Sequence, residues 1–279
     1  CTWDASEPNH GADPTRPYNM TDLAELVVQQ GCEFGLGSDG DGDRIGAVTE
    51  TGAFVYPDRL VALLVGDVLA DLDENATENQ RTVIYDVKCS MNVESAILAA
   101  GGVPLMARTG HSFMKRALAD RPGCRFAAEM SGHIFPADRG WYGFDCSLYN
   151  AARLVEFWSR KNVDGASFGE ALDAVAPNLP TTGECKVPCA EDDKDRVVAG
   201  ITAAFADLPH STVDGVRVRF EDEEGRLQGW YLARRSNTEA VLVMRAEART
   251  EAVLKDIQSR IEQRVPDLID VSGFLDAFA

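Results

Sequence analysis

The sequence predicts an α/β unit with a largely parallel sheet from about Ala53 to Pro180, followed by a smaller, separate α+β domain. Three observations carry this expectation. From Glu33 onward, apolar runs of strand length alternate with segments whose apolar residues recur at helical spacing. Pro177 and Pro180 then bracket a linker, because proline interrupts both kinds of regular pairing. Beyond the linker the alternation gives way to several strands flanked by two helices, with no internal repeat and no low-complexity segment.

Cys1 to Met20 holds three prolines without periodicity and is expected to be an extended surface loop. Thr21 reads as the N-cap of a short helix carrying Leu23, Leu26 and Val27. Strands are expected at Phe34 to Leu36, Ile45 to Val48 and Ala53 to Tyr56, with an apolar helix from Asp58 to about Leu72. Next come a strand at Val83 to Val87, a helix at Val93 to Ala100, a strand at Val103 to Ala107, a helix at His111 to Ala119 and a short strand at Phe126 to Ala128. Leu148, Ala151, Ala152, Val155 and Trp158 then recur as one helical stripe. Past the linker, strands are predicted near Thr182 to Val187, Val216 to Phe220, Trp230 to Arg234 and Ala240 to Glu247. Their two helices run from about Asp193 to Phe205 and along the stripe Val253, Leu254, Ile257 and Ile261.

Composition removes several classes of function. With 279 residues, 45% of them hydrophobic, the chain can bury two or three cores, so disorder is not expected. A net charge of −18 is the wrong sign for a nucleic-acid surface, which needs Lys and Arg to displace counterions. An anionic ligand would have to be held by a local basic cluster against that field. Seven scattered cysteines without a CxxC pair suggest neither zinc nor a disulfide framework, and free thiols fit a reducing cytoplasm. No apolar run reaches the ~20 residues that span a bilayer, so no membrane partner is expected. The opening at Cys1, without an initiator Met, is taken as a sign that upstream sequence is absent.

The sharpest local signal is GSDGDGDR at 37–44, with Asp39, Asp41 and Asp43 at alternate positions in a glycine-rich loop. Carboxylates brought so close are stable around a hard cation such as Mg²⁺. A calcium loop is the rival, since Asp39, Asp41, Asp43 and Glu50 fall at the EF-hand ligand positions. Against it, Arg44 occupies the position that requires glycine, and the flanks read as strands. A second constellation, Thr109, Gly110, His111 and Ser112, follows a strand and opens a helix, where anionic or hydroxylated ligands bind, although Thr109 or Ser112 could equally be a simple cap. Third, Glu129, Ser131 and His133 would face one way if extended and could hydrogen-bond neighbouring sugar hydroxyls; a structural turn is the alternative. Fourth, Arg234, Ser236, Asn237 and Thr238 offer a charged fork and several donors on a tight loop, the chemistry of a phosphate clamp, or else an ordinary polar hairpin. Lys88, at a strand end, could meet a phosphate.

Taken in order, DGDGDR, DVKC, TGHS, EMSGH and RRSNT resemble the α-D-phosphohexomutases, most closely bacterial enzymes of the phosphomannomutase/phosphoglucomutase type. The resemblance implies the end of one α/β domain with the metal loop at 1–52, a complete sugar-binding α/β domain at 53–180, and a phosphate-binding α+β domain at 181–279 resembling the TATA-binding-protein fold. It implies that the N-terminal domains, with their phosphoserine loop, are missing partners, so that this chain alone should not catalyse, and that Cys1 to Ala53 should be mobile or self-associating. Hexose phosphates, namely the 1- and 6-phosphates of mannose and glucose, would be interconverted through a bisphosphorylated intermediate, with glucose 1,6-bisphosphate as activator. Asp39, Asp41 and Asp43 would hold Mg²⁺, Arg44 would stabilise the transferring group, and Lys88 and His111 would line the reacting end as electrostatic and acid/base groups. Glu129 and Ser131 would bind O3 and O4, with His133 close by, and Arg234, Ser236, Asn237 and Thr238 would clamp the other phosphate. Met130 fits the mannose/glucose branch better than the glucosamine branch, which usually has Gln there. Ala240, where the family often has Pro, and Cys146, where a second acidic residue is common, depart from the pattern.

Overall fold

The computed structural model describes residues 11–70, 72–161 and 165–278, so the expectations for Cys1 to His10 lie outside the described residues. The chain divides into two compact units, Cys1–Pro177 and Asn178–Ala279.

The first unit opens with a 3-10 turn at Pro17–Met20 that runs straight into α1 (Thr21–Gln30). Thr21 is therefore not the N-cap: Met20 holds that position, and the Thr21 hydroxyl donates back to the Tyr18 carbonyl at 2.9 Å. A sheet of β1 (Phe34–Ser38), β2 (Ile45–Thr49) and β3 (Phe54–Val55) follows, antiparallel throughout. Then come α2 (Pro57–Ala70), α3 (Glu78–Arg81), β4 (Thr82–Asp86), α4 (Met91–Ala99), β5 (Val103–Ala107), α5 (His111–Ala119), β6 (Phe126–Ala128), β7 (Ile134–Pro136), α6 (Ser147–Lys161) and α7 (Phe168–Val175).

The second sheet has the order β5-β4-β6-β7, parallel except for the β6–β7 hairpin. Alternate residues face opposite ways along a strand, and the cores follow that rule. Val83, Tyr85, Phe126 and Ala128 join the large core built with α2, α4, α6 and α7, whereas Ile84, Ala127 and Phe135 pack with Met114 of α5 on the other face. Ile45, Ala47 and Val55 of the first sheet enter the same large core.

Helix α6 differs from its predicted stripe. Leu148 and Val155 are 81% and 50% exposed, while Leu154, Phe157 and Trp158 are buried along with the polar Asn150 and Arg153. Those two are admitted because each has a buried partner: Asn150 donates to the Ile134 carbonyl at 2.9 Å, and Arg153 forks onto Asp138 and Asp67.

The second unit contains β8 (Cys185–Pro188), α8 (Lys194–Ala204), β9 (His210–Ser211), β10 (Val216–Glu221), β11 (Leu227–Arg235), β12 (Val241–Ala248), α9 (Glu251–Arg264) and α10 (Ser272–Leu275). Its antiparallel sheet has the order β8-β12-β11-β10-β9. Val216, Val218, Tyr231, Ala233, Leu242 and Met244 form one core with the apolar faces of α8 and α9. On the opposite face the Arg217 guanidinium lies 3.9 Å from the centre of the Trp230 ring, whose Nε1 donates to Glu247 at 3.1 Å. Among the described residues no helix is long and apolar enough to cross a membrane.

Candidate functional site

The acidic loop is the β1–β2 connection. Side-chain oxygens of Asp39, Asp41 and Asp43 lie within 4.8 Å of one another. Asp39 shapes the loop from inside: its Oδ1 accepts the amides of Asp43 and Arg44 at 3.1 and 3.0 Å, and its Oδ2 takes the Arg44 guanidinium at 2.5 Å. Arg44 also reaches Asp13 at 3.1 Å. Burial alone would raise the Asp39 carboxyl, but the Arg44 bonds hold it below the usual carboxylate range. Asp43 is pushed up by burial and by the negative charge of Asp39 and Asp41, against the pull of His133. That donor set fits a divalent cation coordinated by oxygen. A calcium loop of the EF-hand kind is not formed: β1 and β2 flank it, and Glu50, which would be its last ligand, instead accepts the Gly169 amide at 3.0 Å.

The Glu129–His133 segment is a tight turn, not an extended run. The Gly132 amide donates to the Glu129 carbonyl, and the Glu129 amide to that of His133, closing the β6–β7 hairpin. The turn is stitched to the acidic loop: the Ile45 amide donates to the Gly132 carbonyl at 3.1 Å, and Arg44 bridges His133. Gly132 has φ +91°, and a Cβ there would stand 2.9 Å from the Ile45 carbonyl oxygen, so no larger residue fits this seam. A second stitch joins the Ser147 amide to the Gly42 carbonyl at 2.8 Å.

Around the seam the structure gathers the other predicted residues of this unit. Helix α5 is entered through Gly110, at φ 131°, without a side-chain cap; neither Thr109 nor Ser112 caps it. Instead the Thr109 hydroxyl donates to Asp86 at 2.9 Å, and the Gly110 amide donates to Glu129 Oε1 at 2.5 Å. Glu129 is 1% exposed, and burial followed by the nearby Asp86 charge raises its carboxyl to about 7, against the pull of His133 and Lys88. Lys88 is itself buried, and Ser131 stands half-buried in the turn. His133 Nδ1 is 2.9 Å from Asp145 and 3.6 Å from Asp43, and its ring stacks between His111 and Phe135. Burial would lower His133, but the Asp145 hydrogen bond and the charges of Glu129 and Asp43 raise it. Asp145 is held at about 2; its burial is outweighed by His133 and by Lys115, whose ammonium lies 2.7 Å away. Asp86, Lys115 and Asp145 escape sequence reasoning because their partners lie on other elements. Asp86 had one faint signal, as the acid opening DVKC at the end of an apolar strand.

In the second unit the predicted clamp is the loop between β11 and β12. Arg234 is buried and its Nε donates to the buried Asp214 at 2.8 Å. Ser236 Oγ accepts the amides of Thr238 and Glu239 at 3.4 and 3.2 Å, which leaves the Asn237 and Thr238 side chains on the exposed tip. Beneath it Lys194, 1% exposed, donates to the carbonyls of Ser236 and Glu239 at 3.0 and 2.5 Å and to Glu191. No sequence signal marked that lysine.

Three sequence models of the phosphoglucomutase/phosphomannomutase enzymes match: alpha/beta/alpha domain II at residues 1–52, alpha/beta/alpha domain III at 56–177 and the C-terminal domain at 184–264. The chain is 40% identical over 260 residues to the phosphomannomutase/phosphoglucomutase of Pseudomonas putida, covering 92% of this chain and 52% of that protein. It is 39% identical to the phosphoglucomutase of Neisseria gonorrhoeae, over 94% of this chain and 54% of the other. A crystal structure of a phosphoglucomutase/phosphomannomutase family protein from Burkholderia thailandensis superposes with a TM-score of 0.79 at 37% identity, over 94% of this chain and 52% of that one. The chain thus spans about half the length of the relatives it matches.

Proposed function

Because the chain belongs to the phosphoglucomutase/phosphomannomutase family, we propose that it supplies the cation-binding, sugar-binding and phosphate-clamping parts of a Mg²⁺-dependent phosphomannomutase/phosphoglucomutase. The observation that carries this reading is the seam of Arg44, Ile45, Gly132 and His133, which brings the His133 ring to 3.6 Å from Asp43 of the clustered carboxylates. Its ligands are hexose 1- and 6-phosphates of mannose and glucose. The two sugars differ at C2, and contacts to O3 and O4 leave both acceptable. Residues 1–52, 53–180 and 181–279 act as the cation, sugar and phosphate parts, in the cytoplasm.

Asp39, Asp41 and Asp43 hold Mg²⁺, which when bound neutralises negative charge on a phosphoryl group. Arg44, braced by Asp39 and Asp13, adds a fixed positive charge at the same edge. Lys88 and His111 contribute to the basic lining, and Glu129 and Ser131 accept and donate to ring hydroxyls. His133 has its Nδ1 committed to Asp145, which leaves Nε2 to take a proton from an attacking hydroxyl or return it. Arg234, Ser236, Asn237 and Thr238 hold the phosphate that is not transferred.

The transferred phosphoryl arrives from a phosphoserine for which no segment of this sequence is a match, so the chain alone binds without isomerising. Adding the N-terminal half of a related mutase, phosphorylated on its serine, with Mg²⁺ and glucose 1,6-bisphosphate is expected to produce turnover. Robust mutase activity from the purified chain alone would overturn this assignment.

A further inference from the structure

Strand β4 ends at Asp86, whose carboxylate is fully buried. Its bonds run to three loops and not along the sheet. Oδ1 accepts from the Cys89 thiol at 3.1 Å and the Met130 amide at 3.3 Å, and Oδ2 accepts from the Thr109 hydroxyl at 2.9 Å. Those donors lie in the loops after β4, β6 and β5, the segments that also carry Lys88, Glu129 and Gly110. A buried carboxylate is costly unless hydrogen-bonded, so these three donors hold Asp86 as firmly as it holds them.

What the tie controls is visible at Glu129. Its Oε1 takes the Gly110 amide, while Oε2 is buried and has no hydrogen-bond partner among the described residues. Gly110 and Glu129 sit on two of the loops that converge on Asp86. The charges facing Glu129 are Asp86 from β4, Lys88 from the loop behind it, and His133 from the turn ahead of β7, itself backed by Asp145 and Asp43.

We propose that Asp86 is a positioning residue: it fixes the separation of the Gly110 amide and the Glu129 carboxyl, and so aims Glu129 Oε2 at a hydroxyl of the bound sugar. This rests on the hexose-phosphate reading above, but its test does not. In ¹H–¹⁵N spectra of the whole chain, the Gly110 amide should lie downfield and titrate with Glu129. Asp86→Asn keeps the size and one acceptor but removes the neighbouring negative charge, so the Gly110 titration should move to lower pH. Asp86→Ala removes the tie: the Gly110 amide should lose its downfield position, and glucose 1-phosphate should bind about tenfold more weakly. An unchanged Gly110 amide in a folded Asp86→Ala would overturn the proposal. If Asp86→Ala does not fold, Asp86→Asn decides: with one of the two acceptor oxygens lost, the Gly110 amide should shift upfield even at a pH where Glu129 is protonated, and an unmoved amide there would overturn the tie. If glucose 1-phosphate disturbs none of the three loops in the unaltered chain, the functional reading fails, while the Gly110 result still decides the role of Asp86.

Discussion

Glu129 turns its burial into a pH dependence. Its carboxyl is held at about 7 in the fold against 4.5 ordinarily, so between those values the folded chain binds a proton that the unfolded chain releases. The stability this contributes is complete below about pH 4.5 and is lost as pH rises through 7. Glu129→Gln should therefore match the unaltered chain at pH 4 and exceed it at pH 8, by up to ~3 kcal/mol, in urea denaturation at the two pH values. Arg234 raises a different issue, because its Nε is already committed to Asp214. Arg234→Ala would strand a buried carboxylate and should destabilise the second unit by about 3 kcal/mol. Asn237→Ala, on the exposed tip, should leave the melting temperature alone and weaken hexose-phosphate binding, as read by calorimetric titration. RRSNT shows the fork in the sequence, but nothing there reveals that Asp214, in the connection between β9 and β10, holds it.

At the scale of elements, β5, α5 and β6 have the predicted limits, because each combines an unbroken apolar run or stripe with a clear boundary residue. Strand β7 was illegible: three residues ending in proline show no alternation, and only pairing with β6 makes them a strand. Helix α7 did leave a trace, since Ser167 and Glu170 form a capping box whose spacing is visible in the sequence. The four site loops were legible as motifs, because glycine, acid and hydroxyl spacing is local. The joining of the acidic loop to the Glu129–His133 turn was not, because that seam depends on backbone groups that every sequence possesses. The clamp loop likewise rests on an element read only as a helix start. Lys194→Met should remove three buried donors, destabilise the second unit by roughly 2–3 kcal/mol, and accelerate amide exchange at Asn237 and Thr238 while leaving β10 protected.

Over the whole molecule, 45 acidic side chains face 27 basic ones. Exposed pairs such as Arg235 with Asp195 are each worth about 0–1 kcal/mol, too little to offset a field of that sign. Screening should relieve more repulsion than attraction, so raising potassium chloride from about 0.01 to 0.2 M, which shortens the screening length from ~30 Å to under 10 Å, should raise the melting temperature. A flat or falling melting curve would show that the ion pairs dominate. The stitching of Ile45 to Gly132 also bears on the order in which the molecule is made. Each hairpin can close from neighbouring residues, but the seam needs two stretches far apart in the chain, and such contacts form late because a long loop must first be closed. The acidic loop can form locally, but Asp43 meets His133 only near the end of folding. A divalent cation present throughout refolding should leave the early kinetic phases untouched and slow unfolding instead, so the ion would act as a latch on the finished protein and not as a template for building it.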